Sequence, residues 1–399
     1  MTFSFNPTAE DFRPVGSQAE TLELPDPQHA STCDDVEISE VERGGQYAMT
    51  AYLKENVQEF RHLQQMRTKG WESSKGDAHF NKQRRVADEP TEKDAHFFYN
   101  MMHKIGRDMN KATRAFDLSN VKKPALLDMC MAPGAFLVQV LDKYPNARVK
   151  AMSLPLKDGG HRVRLGHRNV AVEFRDITML AADMGMQVED VPEAGPDPGN
   201  LEFTKVFSDS ERFDLVLCDG AVRRTHQRPA WREHREATRL TLTQLAIGLE
   251  RLNNGGTMVI LLHKLDSWPC FSLIRNFSKF STVQLFKHPQ HHRLRSSFYL
   301  VAKNIQADSI SAKALVLEWK KKYKAATVGT DEEYSSVLRV SSQDAQAALN
   351  EFGEEFIAMG RKIWKLQAES LAKASFMKSE DESQGKGNES EGISQQDMF

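Results

Sequence analysis

Apolar residues along this chain follow two different periods, and the change between them near residue 124 divides it. Upstream, Tyr47, Tyr52, Val57 and Phe60 stand among charged residues in the pattern of an amphipathic helix over 46–67, and a second helix is predicted at 93–115. Between the two, 69–92 is polar and rich in Lys, Arg and Gly and reads as a loop. From 124 onward, short apolar runs alternate with helical stretches. Strands are predicted at 124–130, 147–153, 170–174, 213–219, 257–263, 282–288 and 297–303, with helices at 134–143, 232–252 and 268–279. This alternation predicts an α/β fold: a mostly parallel sheet covered by helices on both faces. The connection 289–296 is too short for a crossover, so the last strand is expected to run antiparallel to its predecessor.

Beyond the sheet a helix is predicted at 311–324 and a longer one at 343–374, with Ser341 and Ser342 as N-caps. Leu349, Phe352, Phe356, Met359, Ile363 and Leu366 recur at three- and four-residue spacing along the second. That stripe is read as packing against the main domain, with a dimeric coiled coil as the alternative. Residues 185–212 carry Pro, Gly and acids between strands and are expected to form a surface insertion.

Composition narrows the class. The chain has 399 residues, 40% apolar and 27% charged, enough for a large α/β domain with helical extensions. No apolar run reaches membrane-spanning length, and the N-terminus has neither a secretory h-region nor an Arg-rich presequence, so no membrane association is expected. Cys33, Cys130, Cys218 and Cys270 form no Cys-x-x-Cys pair, which indicates neither a metal site nor a disulfide framework. An intracellular protein, cytoplasmic or nuclear, is expected. The overall charge of −2 is unevenly spread: 1–45 carries −8 and 376–399 carries −4, leaving +10 on 46–375. The expected organisation is therefore an acidic disordered tail (1–45), a helical extension (46–118), the sheet domain (119–304), C-terminal helices (305–375) and a second disordered tail (376–399).

The candidate chemistry gathers at strand ends. The run Ala125-Leu-Leu-Asp128-Met-Cys-Met-Ala132-Pro133-Gly134-Ala-Phe136 is a buried strand that enters a helix through a tight Pro-Gly turn. Such a loop lies at the carboxyl edge of the sheet, where ligands bind in open α/β folds. Asp176 and Asp219 end two later strands, and Gly255-Gly256 leads into a third that ends at Lys264. Acids around a glycine turn suit an adenosine ligand, accepting from ribose hydroxyls and the adenine amine. The spacing lacks G-x-G-x-x-G and with it a pyrophosphate site, so S-adenosylmethionine, which has no phosphate, fits better. Directly after Asp219 come Arg223, Arg224, Arg228, Trp231 and Arg232, residues able to hold phosphates and stack a base. His292, Arg293 and Arg295 form a second basic loop. The neighbouring histidines His288, His291 and His292 are read as RNA or solvent contacts, because no matching acid or Cys cluster supplies a metal site.

The Asp128–Phe136 motif, the Asp219-Gly-Ala strand end, Gly255-Gly256 and the run Arg295-Ser-Ser-Phe-Tyr-Leu-Val-Ala302 together resemble the FtsJ-like family over residues 95–304. The resemblance implies a Rossmann-like methyltransferase fold, S-adenosylmethionine as cofactor, and methylation of a ribose 2′-hydroxyl of RNA. It implies cofactor contacts at Asp128, Ala132, Pro133, Gly134, Phe136, Asp176 and Asp219. It also implies a Lys-Asp-Lys-Glu catalytic set. Asp219 takes the Asp position, and Lys104 the first Lys, with Lys111 as its rival. The second Lys position is Leu261, with Lys264 three residues further on, and the Glu position is Ser297. The alternatives are an RNA-binding member without catalysis and a methyltransferase for a different acceptor. A lysine base must be tuned in any case: at its reference pKa of about 10.4 only about 0.04% is neutral at pH 7.

Overall fold

The computed structural model describes residues 44–193 and 200–377. The expected acidic tails, apart from 44–45 and 376–377, and residues 194–199 of the expected insertion lie outside the described residues. One sheet is built from β1 (Ala125–Asp128), β2 (Arg148–Ser153), β3 (Val170–Phe174), β4 (Phe213–Cys218), β5 (Leu252–His263), β6 (Thr282–Phe286) and β7 (Ser297–Ile305). Its strand order is β3-β2-β1-β4-β5-β7-β6. β1 to β5 are parallel, and β7 runs antiparallel to both β5 and β6, as the short connection before it requires. This is the mostly parallel α/β sheet, helix-covered on both faces, that the alternation of elements predicts.

The chain runs from β1 outward to β3 and returns to β4 on the other side of β1. That reversal opens a crevice between the carboxyl ends of β1 and β4. β1 and β4 are apolar and buried almost throughout, as central strands covered on both faces must be. β5 starts five residues earlier than expected, at Leu252. The Gly255-Gly256 pair lies inside the strand, where the register with β7 slips between Gly256 and Met258.

Two apolar layers flank the sheet. On one face, Leu126, Leu215, Leu217, Val259 and Val301 meet α4 (Glu92–Thr113) and α5 (Ala135–Lys143). On the other, Leu127, Val216, Met258, Ile260 and Leu300 join α6 (Glu236–Glu250), α7 (Trp268–Ser278) and the terminal helices. These are α1 (Gly44–Asn56), α2 (Gln58–Trp71), α8 (Ile310–Val328) and α10 (Ser342–Ala372). A short α9 (Asp331–Leu338) precedes α10. The apolar stripe of α10 is consumed internally, chiefly against α2 and α1 of the N-terminal extension and less against α7 and β6 of the main domain, where the whole contact was expected. Among the described residues no helix is long and apolar enough to cross a membrane.

Two expectations upstream are corrected. The single helix over 46–67 is two, α1 and α2, divided at Val57, which is extended and fully buried. The polar stretch 69–92 is not a loop. It forms α3 (Ser74–Asp88), started by the Ser73 side chain accepting from the Gly76 N–H. α3 carries almost no apolar stripe for a sequence pattern to show; Phe80 is its anchor, packed on Phe376 from the far end of the chain.

Phe356 of α10 is fully buried and meets the rings of Phe271 in α7 and Trp364 in edge-on contacts at 5.1 and 5.8 Å. Phe356→Ala is expected to lower stability by about 3–5 kcal/mol in denaturant titration. A loss below about 1 kcal/mol would show that α10 is not integral to the core.

Candidate functional site

The loop after β1 is shaped by contacts that leave its backbone open on one side. Gly134 caps α5 at φ +95°, a left-handed conformation that favours glycine. A Cβ there would sit 2.8 Å from Leu165 Cβ and 2.9 Å from Met131 Cε. The segment bearing Leu165 is tied down by the Arg164 N–H donating to the Pro133 carbonyl at 3.1 Å. Asp128, at the end of β1, is buried, and burial pushes its carboxyl up to about 7, opposed only by the Cys130 N–H at 3.3 Å.

Asp219 follows β4 immediately. Its Oδ1 is shut off from solvent and has no hydrogen-bond partner. Burial, and then the neighbouring Asp128 carboxylate, push this carboxyl up to about 8 against the opposing influence of Tyr299. The turn beyond it must be glycine: a Cβ on Gly220 would lie 2.5 Å from Cys130 Sγ and 2.8 Å from Gln244 Oε1. The Gly220 N–H already donates to that Oε1 at 2.9 Å. Gln244 of α6 therefore holds the strand end in place.

These residues line one cavity of about 690 Å³ at the carboxyl edge of the sheet, a size suited to a small-molecule ligand. Asp128, Ala132, Pro133, Gly134, Phe136, Asp176 and Asp219 all border it, as do Arg223, Arg224, His292 and Arg295. Phe136 also packs against Phe116 and Tyr299, so its role includes structural support. Asp176 caps a short 3₁₀ turn, accepting from the Thr178 N–H at 3.0 Å and hydroxyl at 2.7 Å. Ser153, not an acid, closes β2 at the cavity wall.

Several expected contacts are placed elsewhere. Lys104 is on the exposed face of α4 and Lys264 is exposed beyond β5, and neither lines the cavity. Among the described residues that do, there is no lysine at all. The reason is the period of the strand. Lys264 is three residues past Leu261 and so leaves the opposite face, whereas His263, two residues on, shares the cavity face. Lys264 also sits at φ 55°, its N–H donating to the Ser296 carbonyl at 3.2 Å.

Arg228, Trp231, Arg232 and Arg293 likewise lie off the cavity lining. Arg232 is buried and bridges Glu236, at 2.7 and 3.1 Å, with the Thr178 hydroxyl at 3.1 Å, so its charge is spent inside the protein. Arg228 is bound to Glu233 at 2.7 Å. Part of the histidine loop is interior too: His288 pairs with Asp108 at 3.1 Å and lies against the tilted ring of His291, whereas His292 borders the cavity and is driven by burial down to about 3. Beneath it the buried Lys287 ammonium donates to the carbonyls of His292, Arg295 and Ser297 at 3.0, 2.6 and 2.8 Å, fixing the loop.

Other lining residues were not anticipated. His161, Arg162 and Arg164 border the cavity from the segment after β2. The run His161-Arg-Val-Arg-Leu-Gly-His-Arg168 after Gly159-Gly160 was the available signal. The α3–α4 connection closes the opposite wall with Asp88, Pro90 and Glu92. Asp88 pairs with Arg224 and Glu92 with Arg164, each at 2.7 Å. Ligand-type atoms of Asp176, His226 and Glu236 lie within 4.8 Å of one another. Arg232 already stands between both acids, which leaves a cation little to neutralise there.

Residues 107–305 match the FtsJ-like methyltransferase family model. That segment spans the end of α4 and the entire sheet, and through it the chain belongs to the FtsJ-like methyltransferase family. No curated protein matches the chain in sequence. Among solved structures, an O-methyltransferase family protein from Burkholderia thailandensis is 11% identical, covering 62% of this chain and 72% of its own at a TM-score of 0.32. An rRNA methylase from Streptococcus thermophilus is 13% identical, with coverages of 52% and 95% and a TM-score of 0.30. Human N-acetylserotonin methyltransferase, solved in complex with SAM, is 12% identical, with coverages of 67% and 72% and a TM-score of 0.32.

The raised Asp219 carboxyl has a consequence for stability. Its folded pKa of about 8 lies above the unfolded value of about 3.9. The folded state therefore favours the protonated form, and this group's contribution is present below about pH 4 and is lost as pH rises through about 8. Asp219→Asn, a neutral near-isostere, is expected to raise the melting temperature more at about pH 8.5 than at about pH 5. An equal change at both pH values in thermal melts would contradict the assignment.

Proposed function

We propose that this protein is an S-adenosylmethionine-dependent methyltransferase that modifies a ribose 2′-hydroxyl of RNA. The observation that carries the reading is the orphaned Asp219 Oδ1, a buried acceptor with no partner, bordering a cavity beside the Gly134 turn. A buried polar atom left unpaired costs about 1–3 kcal/mol, and a ligand that donates to it recovers that cost. A cofactor with an ammonium and hydroxyl donors suits this wall, and the absence of a phosphate cradle argues for one without phosphates.

Ala132, Pro133 and Gly134 would carry the cofactor backbone-on, with Asp176 placed for the adenine edge and Ser153 for ribose. When bound, the cofactor supplies an activated methyl group on a sulfonium. The protein's task is then chiefly alignment, which can supply about 7–11 kcal/mol of barrier reduction. Asp128 and Asp219 present a wall whose carboxyls become anionic most readily when a cationic ligand lies against them.

The acceptor class is read from the rim. Arg162, Arg164, Arg223, Arg224 and Arg295 surround the cavity, and arginines in that arrangement suit the phosphates flanking a target ribose. The 2′-hydroxyl is the group by which a protein distinguishes RNA from DNA at such a site. Lys104 and Lys264, away from the cavity, have no part in this reading.

Full-length protein incubated with methyl-labelled cofactor and total RNA is expected to label RNA, and nuclease digestion to release 2′-O-methylated nucleosides. Asp219→Ala should abolish labelling while circular dichroism stays that of the folded protein. RNA left unlabelled in every fraction by the wild type would overturn the proposal. RNA affinity is also expected to fall steeply with salt, and Arg162→Ala to reduce the slope of log K against log salt by about one. Salt-insensitive binding of the acceptor would point to a substrate other than RNA.

A further inference from the structure

A hydroxyl attacking a methyl group must lose its proton, and the cavity offers no lysine to take it. The antiparallel pair β5–β7 shows what stands there instead. Leu261 is directly opposite Tyr299, and His263 directly opposite Ser297. Opposed residues in an antiparallel pair share a face, and all four of these line the cavity. β4 lies on the other side of β5, with Cys218 in register with Ile260. Asp219 thus leaves β4 just where Leu261 and His263 continue β5. His263 ends β5 at the cavity mouth, its residue partly open to solvent and its ring partly enclosed by the cavity wall.

We propose that His263 is the general base of the methyl transfer, accepting the proton of the attacking hydroxyl at the cavity mouth; this rests on the methyltransferase reading above. As the hydroxyl oxygen forms its bond to the methyl carbon, the carbon–sulfur bond breaks and the sulfonium becomes a neutral thioether. The hydroxyl proton passes to the free imidazole nitrogen, and the resulting imidazolium returns it to water.

The surroundings keep this imidazole in its neutral form. The titratable and charged groups acting on it are Arg295 and His292 from the rim loop and Lys287 just past β6. Cys270 of α7 adds a thiol that donates to the His263 carbonyl at 3.1 Å. Burial first, and then Arg295 and Lys287, hold the imidazole below its ordinary range. The other cavity histidines are less suited. His161 is bound to Arg223, His226 is held by Asp176 at the turn after β3, on the side of β1 away from β5, and His292 is pressed down to about 3.

The test compares wild type, His263→Ala and Lys264→Ala in single-turnover methylation of RNA, with S-adenosylhomocysteine and RNA binding measured in parallel. His263→Ala is expected to slow the chemical step at least about 100-fold with both affinities unchanged, and added imidazole to restore part of the rate. The wild-type rate should fall on the acid side with an apparent pKa below about 6.5, and that limb should be absent from the variant. Lys264→Ala should retain the wild-type rate. An unchanged rate and acid limb in His263→Ala, or a loss confined to Lys264→Ala, overturns the assignment of the base and leaves the methyltransferase reading standing. A wild type that methylates nothing removes that reading and this proposal with it.

Discussion

Two carboxyl groups stand at the ends of the neighbouring strands β1 and β4 with no cation against either. Asp128 and Asp219 are both raised by burial, and the first raises the second further. A fold selected for stability alone would place apolar groups or an arginine there. The surrounding structure holds the two strand ends tightly: Gly134 fits against Leu165 and Met131, Gly220 fits against Cys130 and Gln244, Gln244 clamps the turn, and the Tyr299 hydroxyl acts on Asp219. The crevice created by the strand reversal thus holds acceptor capacity that the protein itself does not use.

What does use charge pairing lies one layer deeper. Glu236 is buried between Arg232 and Arg239, and although burial pushes its carboxyl upward, the two guanidiniums more than offset this and hold it low. Arg239 continues to the Thr178 carbonyl at 2.8 Å and to the Thr327 hydroxyl at 3.1 Å, while the Tyr323 hydroxyl donates to the same Thr178 carbonyl at 2.6 Å. Thr178 in turn fixes Asp176 at the cavity edge. The helix α8 therefore supports the wall expected to meet the adenine, through a network in which loss of Glu236 would leave two buried guanidiniums without their carboxylate. The C-terminal helices are part of the site's scaffold.

The sheet was legible because its strands obey simple physical constraints. Central strands are apolar on both faces, the Pro133-Gly134 turn has few backbone solutions, and a connection of eight residues cannot cross over. The cofactor-side residues were legible for the same reason, since strand ends locate them. Two kinds of feature escaped. α3 escaped because a polar helix held by Phe80 and its caps has no periodic stripe. The base side of the site escaped because a count of residues to Lys264 ignores the alternation that turns it away and turns His263 inward. Arg232 illustrates a third limit: an arginine four residues before a glutamate reads as a surface charge until tertiary contacts bury both.

The N-terminal extension raises the question of how an acceptor enters, because its helices wall the cavity with acids already paired to rim arginines. Glu92 is 78% exposed opposite Arg164, and Asp88 is 30% exposed opposite Arg224 at 49%. Pairs as accessible as these contribute little and weaken further with salt. A phosphate offers the same guanidiniums a stronger acceptor with full charge assistance, so exchanging a carboxylate for it is thermodynamically easy. The buried Arg232–Glu236–Arg239 set, by contrast, has no such exchange open to it. Between Arg223 and Arg239 the protein keeps two populations of arginine, one committed to the scaffold and one held by weak, replaceable partners at the rim. That division, more than the number of basic residues, is what makes this face suited to a polyanion.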